Sequence, residues 1–100
     1  MGYEIVWTPA SREDMTDLLG YISRDSVENA LSVIDRIERA VERLREFPLS
    51  GHYVHELPDE DVRELIVFDY RILYEFTTHV EILGVFHGSR LLSNAMKGRL

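Results

Sequence analysis

The chain has 100 residues, of which 45% are hydrophobic, and a net charge of −7 at pH 7. That length suits one small domain with a single two-layer core, expected over residues 1–100. The absence of cysteine excludes disulfides and thiolate-held zinc. The acidity is uneven. Residues 1–62 hold 6 Lys/Arg against 14 Asp/Glu, whereas residues 63–100 hold 5 against 4. The first part would repel a phosphate backbone, and the last part tolerates an anion. The opening "MGYEIVW" lacks the basic region and apolar run of a signal peptide, and no window approaches the roughly 20 apolar residues of a membrane span. The expectation is a cytoplasmic protein without membrane contact.

In chain order, Tyr3–Trp7 is β-branched and aromatic and predicts a strand. Thr8 is placed to cap a helix, with Pro9 at its first position, where no amide hydrogen is needed. Met15, Leu18, Leu19 and Ile22 recur at helical spacing. Asp25 and Glu28 read as a capping box that opens a second helix. Val27, Ala30, Ile34, Ile37, Val41 and Leu44 form its apolar stripe, and Pro48 and Gly51 end it. Pro48–Asp61 reads as a loop. The period then changes to two. "VRELIVF", "YRILYEF" and "VEILGVF" predict three strands joined by gaps so short that they must be hairpins. "LLSNAMKGRL" is a tail in which Asn94–Lys97 could add a helical turn, or which a partner could displace.

The predicted class is α+β with the order β-α-α-β-β-β, an antiparallel twisted sheet with a helical hairpin packed on one face. The first strand joins the meander at an edge or between strands. The Tyr70–Phe76 strand is apolar on both parities, with Tyr70, Ile72, Tyr74 and Phe76 on one and Leu73 on the other. A sheet covered on one face only should show a polar second face, so apolar surface is left for something else to cover.

This order, with "TPA", "FPLSGHYVHEL", "REL", "YRILYEF" and a last strand ending in His-x-x-Arg, resembles the RelE/ParE toxin superfamily over nearly the whole chain. The resemblance implies the toxin of a type II toxin–antitoxin pair, neutralised by a cognate antitoxin that drapes a flexible segment over it. It also implies one of two activities. RelE-like members enter the ribosomal A site and cleave mRNA, and ParE-like members poison DNA gyrase. Neither activity implies a cofactor. Self-association or assembly with the antitoxin is open on sequence grounds.

RNA cleavage needs a base, an acid and cations on the phosphate. Arg71, His87 and Arg90 are the candidates, with Glu64 as an outlying candidate base. By the resemblance, Arg71 and Arg90 match phosphate-binding arginines, and His87 falls near a catalytic histidine. Arg63, Arg71 and Arg90 are the candidate contacts to a target or anion. Three departures point to the ParE-like branch. "VRELIVF" carries only Arg63 where RelE-like nucleases are lysine-rich, no tyrosine follows Arg90, and the net charge suits rRNA binding poorly. A third reading is a member that keeps antitoxin binding without toxicity.

Each candidate has a plainer role open to it. His87 could hydrogen-bond at a strand end. Arg90 could pair with Glu64 or the C-terminal carboxylate, and Arg63 with Glu75 across strands. Tyr70 and Tyr74 suit packing better than base stacking, and Gly88 suits an unusual backbone turn. His52 and His55 lack a convincing third ligand beyond Glu56, so no metal is expected. Hairpin parity decides which residues share a face. Three-residue turns would put Arg63, Arg71 and His87 on one side, and that is the expectation.

Overall fold

The computed structural model describes residues 2–100, so Met1 of the expected domain lies outside the described residues. The elements are β1 (Ile5–Trp7), α1 (Pro9–Ser23), α2 (Val27–Glu42), a 3-10 turn at Arg43–Arg45, β2 (His52–Tyr53), β3 (Arg63–Val67), β4 (Tyr70–Phe76), β5 (Val80–His87) and α3 (Leu92–Ala95). They form one five-stranded sheet in the order β1-β5-β4-β3-β2. The meander β3-β4-β5 is antiparallel as expected. The sheet as a whole is mixed, because β1 takes an edge parallel to β5. The expected loop Pro48–Asp61 contains β2, which pairs with β3 at the other edge.

Local chemistry sets the helices. Thr8 caps α1, accepting from the Ser11 N–H at 3.1 Å, while the Ser11 hydroxyl donates back to the Thr8 carbonyl at 2.8 Å. The Thr8 hydroxyl also donates to the Ile82 carbonyl at 2.9 Å, which ties the cap to β5. The second cap is Ser26, one residue later than the capping box expected from Asp25; its Oγ accepts from the Asn29 N–H. Because α2 starts there, Val27 lies 62% exposed, and Val33 and Ala40 join Ala30, Ile37 and Val41 in the core.

The sheet buries both faces. Under the hairpin, Ala30, Ile37, Val41 and Leu44 pack on Ile72, Tyr74, Val80 and Ile82. On the other face, Leu73, Leu83 and Phe86 pack under Val54, Val62, Leu92 and Met96. The unexplained apolar parity of β4 is therefore covered by the chain's own tail and its 54–62 segment. Tyr74 is fully buried, donates its hydroxyl to the Pro48 carbonyl at 2.8 Å and accepts from the Gly51 N–H at 2.9 Å. It is a packing residue, as the plainer reading had it.

Glu75 lies directly opposite Glu81. Burial pushes its carboxyl pKa up, and the charges of Glu81, Glu60 and Asp61 add to this. The native state thus holds this proton more tightly than the unfolded chain, so the contribution to stability is present at low pH and is lost as pH rises through the folded value. Glu75→Gln is expected to stabilise the fold at pH 7 by about 0.5 kcal/mol, which raises Tm by roughly 2–4 °C. The gain should shrink on lowering the pH toward the ordinary glutamate range. Thermal melts at neutral and acid pH check both.

Candidate functional site

The candidate residues sit on the meander, and its registers decide which meet. The β3–β4 turn has two residues, Phe68 and Asp69, with Val67 opposite Tyr70. Arg63 therefore lies opposite Tyr74 on the helix-covered face, while Arg71 lies opposite Ile66 on the other. The β4–β5 turn has three residues, with Phe76 opposite Val80. Parity alone would then put His87 with Arg71. A β-bulge intervenes: Tyr74 pairs with Ile82 and Leu73 with Gly84, which leaves Leu83 as the extra residue. The register shifts by one, and His87 ends opposite Tyr70. The expected shared face for Arg63, Arg71 and His87 is corrected on both counts. Arg71 stands apart from Arg63 because the first turn is one residue shorter, and apart from His87 because of the bulge.

The environments divide in the same way. Arg71 is enclosed by two carboxylates. Its Nε donates to Glu64 Oε1 at 3.0 Å, and Nη2 donates to Glu64 Oε2. Nη1 and Nη2 donate to Glu56 at 2.7 and 3.1 Å. The side chains of Arg71 and Glu64 are only 14% and 9% exposed. The hydrogen bond from Arg71 holds the Glu56 carboxyl down at about 2. Glu56 and Glu64 in turn push the Arg71 pKa up. With four of its five N–H donors on these two carboxylates, Arg71 is held as a structural cation, and Glu64, the outlying candidate base, is its counter-ion.

Arg63 clamps the 49–53 segment. Its guanidinium donates to the carbonyls of Leu49 and Gly51 at 3.2 and 3.0 Å and to the Tyr53 hydroxyl at 3.1 Å, and lies over the Tyr53 ring. The cross-strand pair with Glu75 does not form.

His87 Nδ1 accepts from the Ser89 N–H at 3.2 Å and lies 2.7 Å from the Ser89 hydroxyl. Nδ1 is thus the acceptor nitrogen, which leaves the hydrogen on Nε2 in the neutral ring. The ring meets Tyr70 edge-on at 5.7 Å. Burial pushes the Tyr70 phenol pKa up, with the Asp69 charge adding to the shift. The strand-end hydrogen bond is therefore present. Arg90 is exposed, with its guanidinium 5.5 Å from the Phe86 ring centre. It has no ion pair among the described residues, so neither Glu64 nor the C-terminus takes it.

His87, Tyr70 and Arg90 line an open cleft of about 490 Å³ against α1, where Asp17, Leu18 and Tyr21 form the opposite wall. This cleft joins His87 and Arg90, whereas Arg71 lines a smaller neighbouring cleft on the other side of His87. Sequence reasoning missed Tyr21 here, since an exposed tyrosine on a helix carries no motif. It also missed Asp14 and Arg99. Arg99 makes a two-pronged ion pair with Asp14 at 2.6 and 3.1 Å and donates to the Leu83 carbonyl at 3.0 Å. Asp14 also accepts from the Val85 N–H at 3.0 Å. Their sequence separation of 85 hides the pair.

Residues 5–92 match the family described as the ParE toxin of type II toxin–antitoxin systems, parDE. The chain belongs to the ParE toxin family. Within it, the chain is 35% identical over 85 residues to "Putative toxin Y4kP" of Sinorhizobium fredii, covering 83% of this chain and 85% of the relative. The fold of this ParE-family chain is shared with a chain of a chromosomal ParDE toxin–antitoxin system from P. aeruginosa, with a TM-score of 0.68, 18% identity and coverage of 85% and 95% of the two chains. A free-state mutant of the E. coli toxin RelE gives 0.67 at 18% identity over the full length of both. A chain of the Mycobacterium tuberculosis RelBE2 toxin–antitoxin complex gives 0.60 at 26% identity, covering 87% and 92%. The chain is thus a type II toxin of the RelE/ParE superfamily, as its resemblance implied. No helix among the described residues is long and apolar enough to cross a membrane.

Proposed function

We propose that this toxin arrests growth by binding a protein target, DNA gyrase in the ParE manner, rather than by cutting RNA, and that a cognate antitoxin silences it. One observation carries the reading. By register Arg71 and His87 belong to opposite faces of the sheet, and Arg71 gives four of its five N–H donors to Glu56 and Glu64. A phosphate in flight between the attacking and leaving oxygens needs its cations and its proton carrier within hydrogen-bond reach at one point. Arg71 reaches the same small cleft as His87, but its charge is already met there by the Glu56 and Glu64 carboxylates, which would repel a phosphate. The antitoxin partner is supported by the toxin–antitoxin assemblies among the structural relatives. Such a target puts the site of action in the cytoplasm.

In this reading His87 is a strand-end residue, and Arg90 is the cation offered to the target. His87→Asn keeps an acceptor for the Ser89 N–H at the strand end but cannot carry a proton, so, expressed without antitoxin, it is expected to arrest growth within about twofold of the parent chain, whereas Arg90→Glu should lose at least tenfold. Loss of arrest in a folded His87→Asn protein would favour the rival reading, a ribosome-dependent endonuclease. A parent chain that arrests nothing would favour a member that keeps only antitoxin binding.

A further inference from the structure

The β3–β4 turn carries a residue that local backbone preference disfavours. Phe68 has φ of 53°, the one left-handed non-glycine among the described residues. Two-residue hairpin turns need this conformation and take glycine, asparagine or aspartate for it. Phenylalanine there is strained and gains little from packing, since it lies 55% exposed with only the Arg36 guanidinium over its ring. Strain held where packing does not reward it points to another use for the side chain.

The surroundings give that use a shape. Ile66 beside it is 58% exposed. Both line a cleft with Asp69, Arg71, Gly88 and Ser89, and His87 lines it as well. His87 and Ser89 also form one wall of the larger cleft that holds Tyr21 and Arg90. The hydrogen-bonded His87–Ser89 pair is thus a ridge between two notches, one floored by Leu18, Tyr70 and Val85, the other walled by Ile66 and Phe68. The Gly88 N–H donates to the Asp69 carbonyl at 2.7 Å, which fixes the turn and the ridge to each other.

The geometry points to this end of the sheet as the target-docking surface. Its partner is a protein surface that presents two apolar side chains, one to each notch, beside a carboxylate for Arg90. Exposed aromatic and aliphatic anchors around a single unpaired arginine are the composition of a protein-binding hot spot. Nucleic acid fits it poorly, because Asp17 stands in one notch and Asp69 in the other, where each would repel phosphate, and the Arg71 that also lines the second is neutralised by Glu56 and Glu64. This surface rests on the reading that the toxin acts by binding a protein target.

Phe68→Gly separates fold from function, because glycine relieves the left-handed turn while removing the anchor. The expected result is a Tm equal to or above that of the parent chain, loss of growth arrest, and at least a tenfold fall in affinity for purified gyrase. Ile66→Ser should act in the same direction. Full growth arrest by a folded Phe68→Gly protein would overturn the surface. So would a Phe68-dependent gain in binding to a single-stranded RNA oligonucleotide, which would make the partner a nucleic acid. If the parent chain arrests growth without binding gyrase while Phe68→Gly does not arrest it, the surface stands and the choice of gyrase fails.

Discussion

Arg71→Ala is expected to destabilise the fold by about 3 kcal/mol, the scale for removing one partner from a buried ion pair. For a domain of this size that lowers Tm by roughly 12–24 °C. Glu64 would stay buried on its sheet face with no counter-ion, and Glu56 would lose the hydrogen bonds that tie the 54–62 segment to the sheet. The same pairing sets an acid limb. Because Glu56 titrates at about 2 in the folded chain instead of near the ordinary 4.5, its contribution is complete above the unfolded value and is lost as pH falls between the two. The parent chain should therefore lose stability on acidification through that window, and Arg71→Ala should show a flatter acid limb. Replacing Arg71 and Glu64 together by Met and Leu should recover much of the loss, since no lone charge is then left buried. Unchanged stability in Arg71→Ala would free the arginine for a functional role and undo its assignment as a structural cation.

Asp14→Ala is expected to cost about 3 kcal/mol, for a different reason. β1 pairs only with Val80–Ile82 of β5, so the outer edge of β5 beyond Ile82 has no neighbouring strand. Asp14 and Arg99 stand in for one, taking the Val85 N–H and the Leu83 carbonyl. Arg99 crosses the Phe86 ring at 4.9 Å on the way, which fixes the tail over Leu83, Phe86 and Met96. Without Asp14 the guanidinium and the Val85 amide would both lose their partner. The amide should then exchange with solvent far faster than in the parent chain, and the exposed edge should make the protein more prone to associate. Asp14→Asn should recover part of the loss by keeping one acceptor for Val85.

The elements were legible in the sequence where local chemistry fixes them. Thr8 with Pro9, the apolar spacing of α2 and the short gaps between the last three strands each have a single economical reading, and each matches the structure. The candidate site was less legible because it depends on parity. The three-residue turn before Val80 follows from sequence, yet the bulge at Leu83 and Gly84 reverses its consequence for His87. The signal was present. A lone glycine inside an apolar strand marks a bulge, and a Cβ on Gly84 would meet the Phe86 ring at 2.5 Å. The turn at Phe68 and Asp69 gave no such signal, since it lacks the glycine or asparagine its conformation favours. The Asp14–Arg99 pair and the burial of the second sheet face arise from contacts between distant segments, which no spacing rule encodes.

The central claim is that this ParE-family chain acts by binding and not by cleaving RNA. The most direct measurement is induction of the chain without its antitoxin, with mRNA 5′ ends and gyrase-linked DNA breaks mapped in the same cells. The account predicts DNA breaks with an SOS response and an unchanged pattern of mRNA ends. New mRNA ends at ribosome-occupied codons, with no DNA breaks, would contradict it.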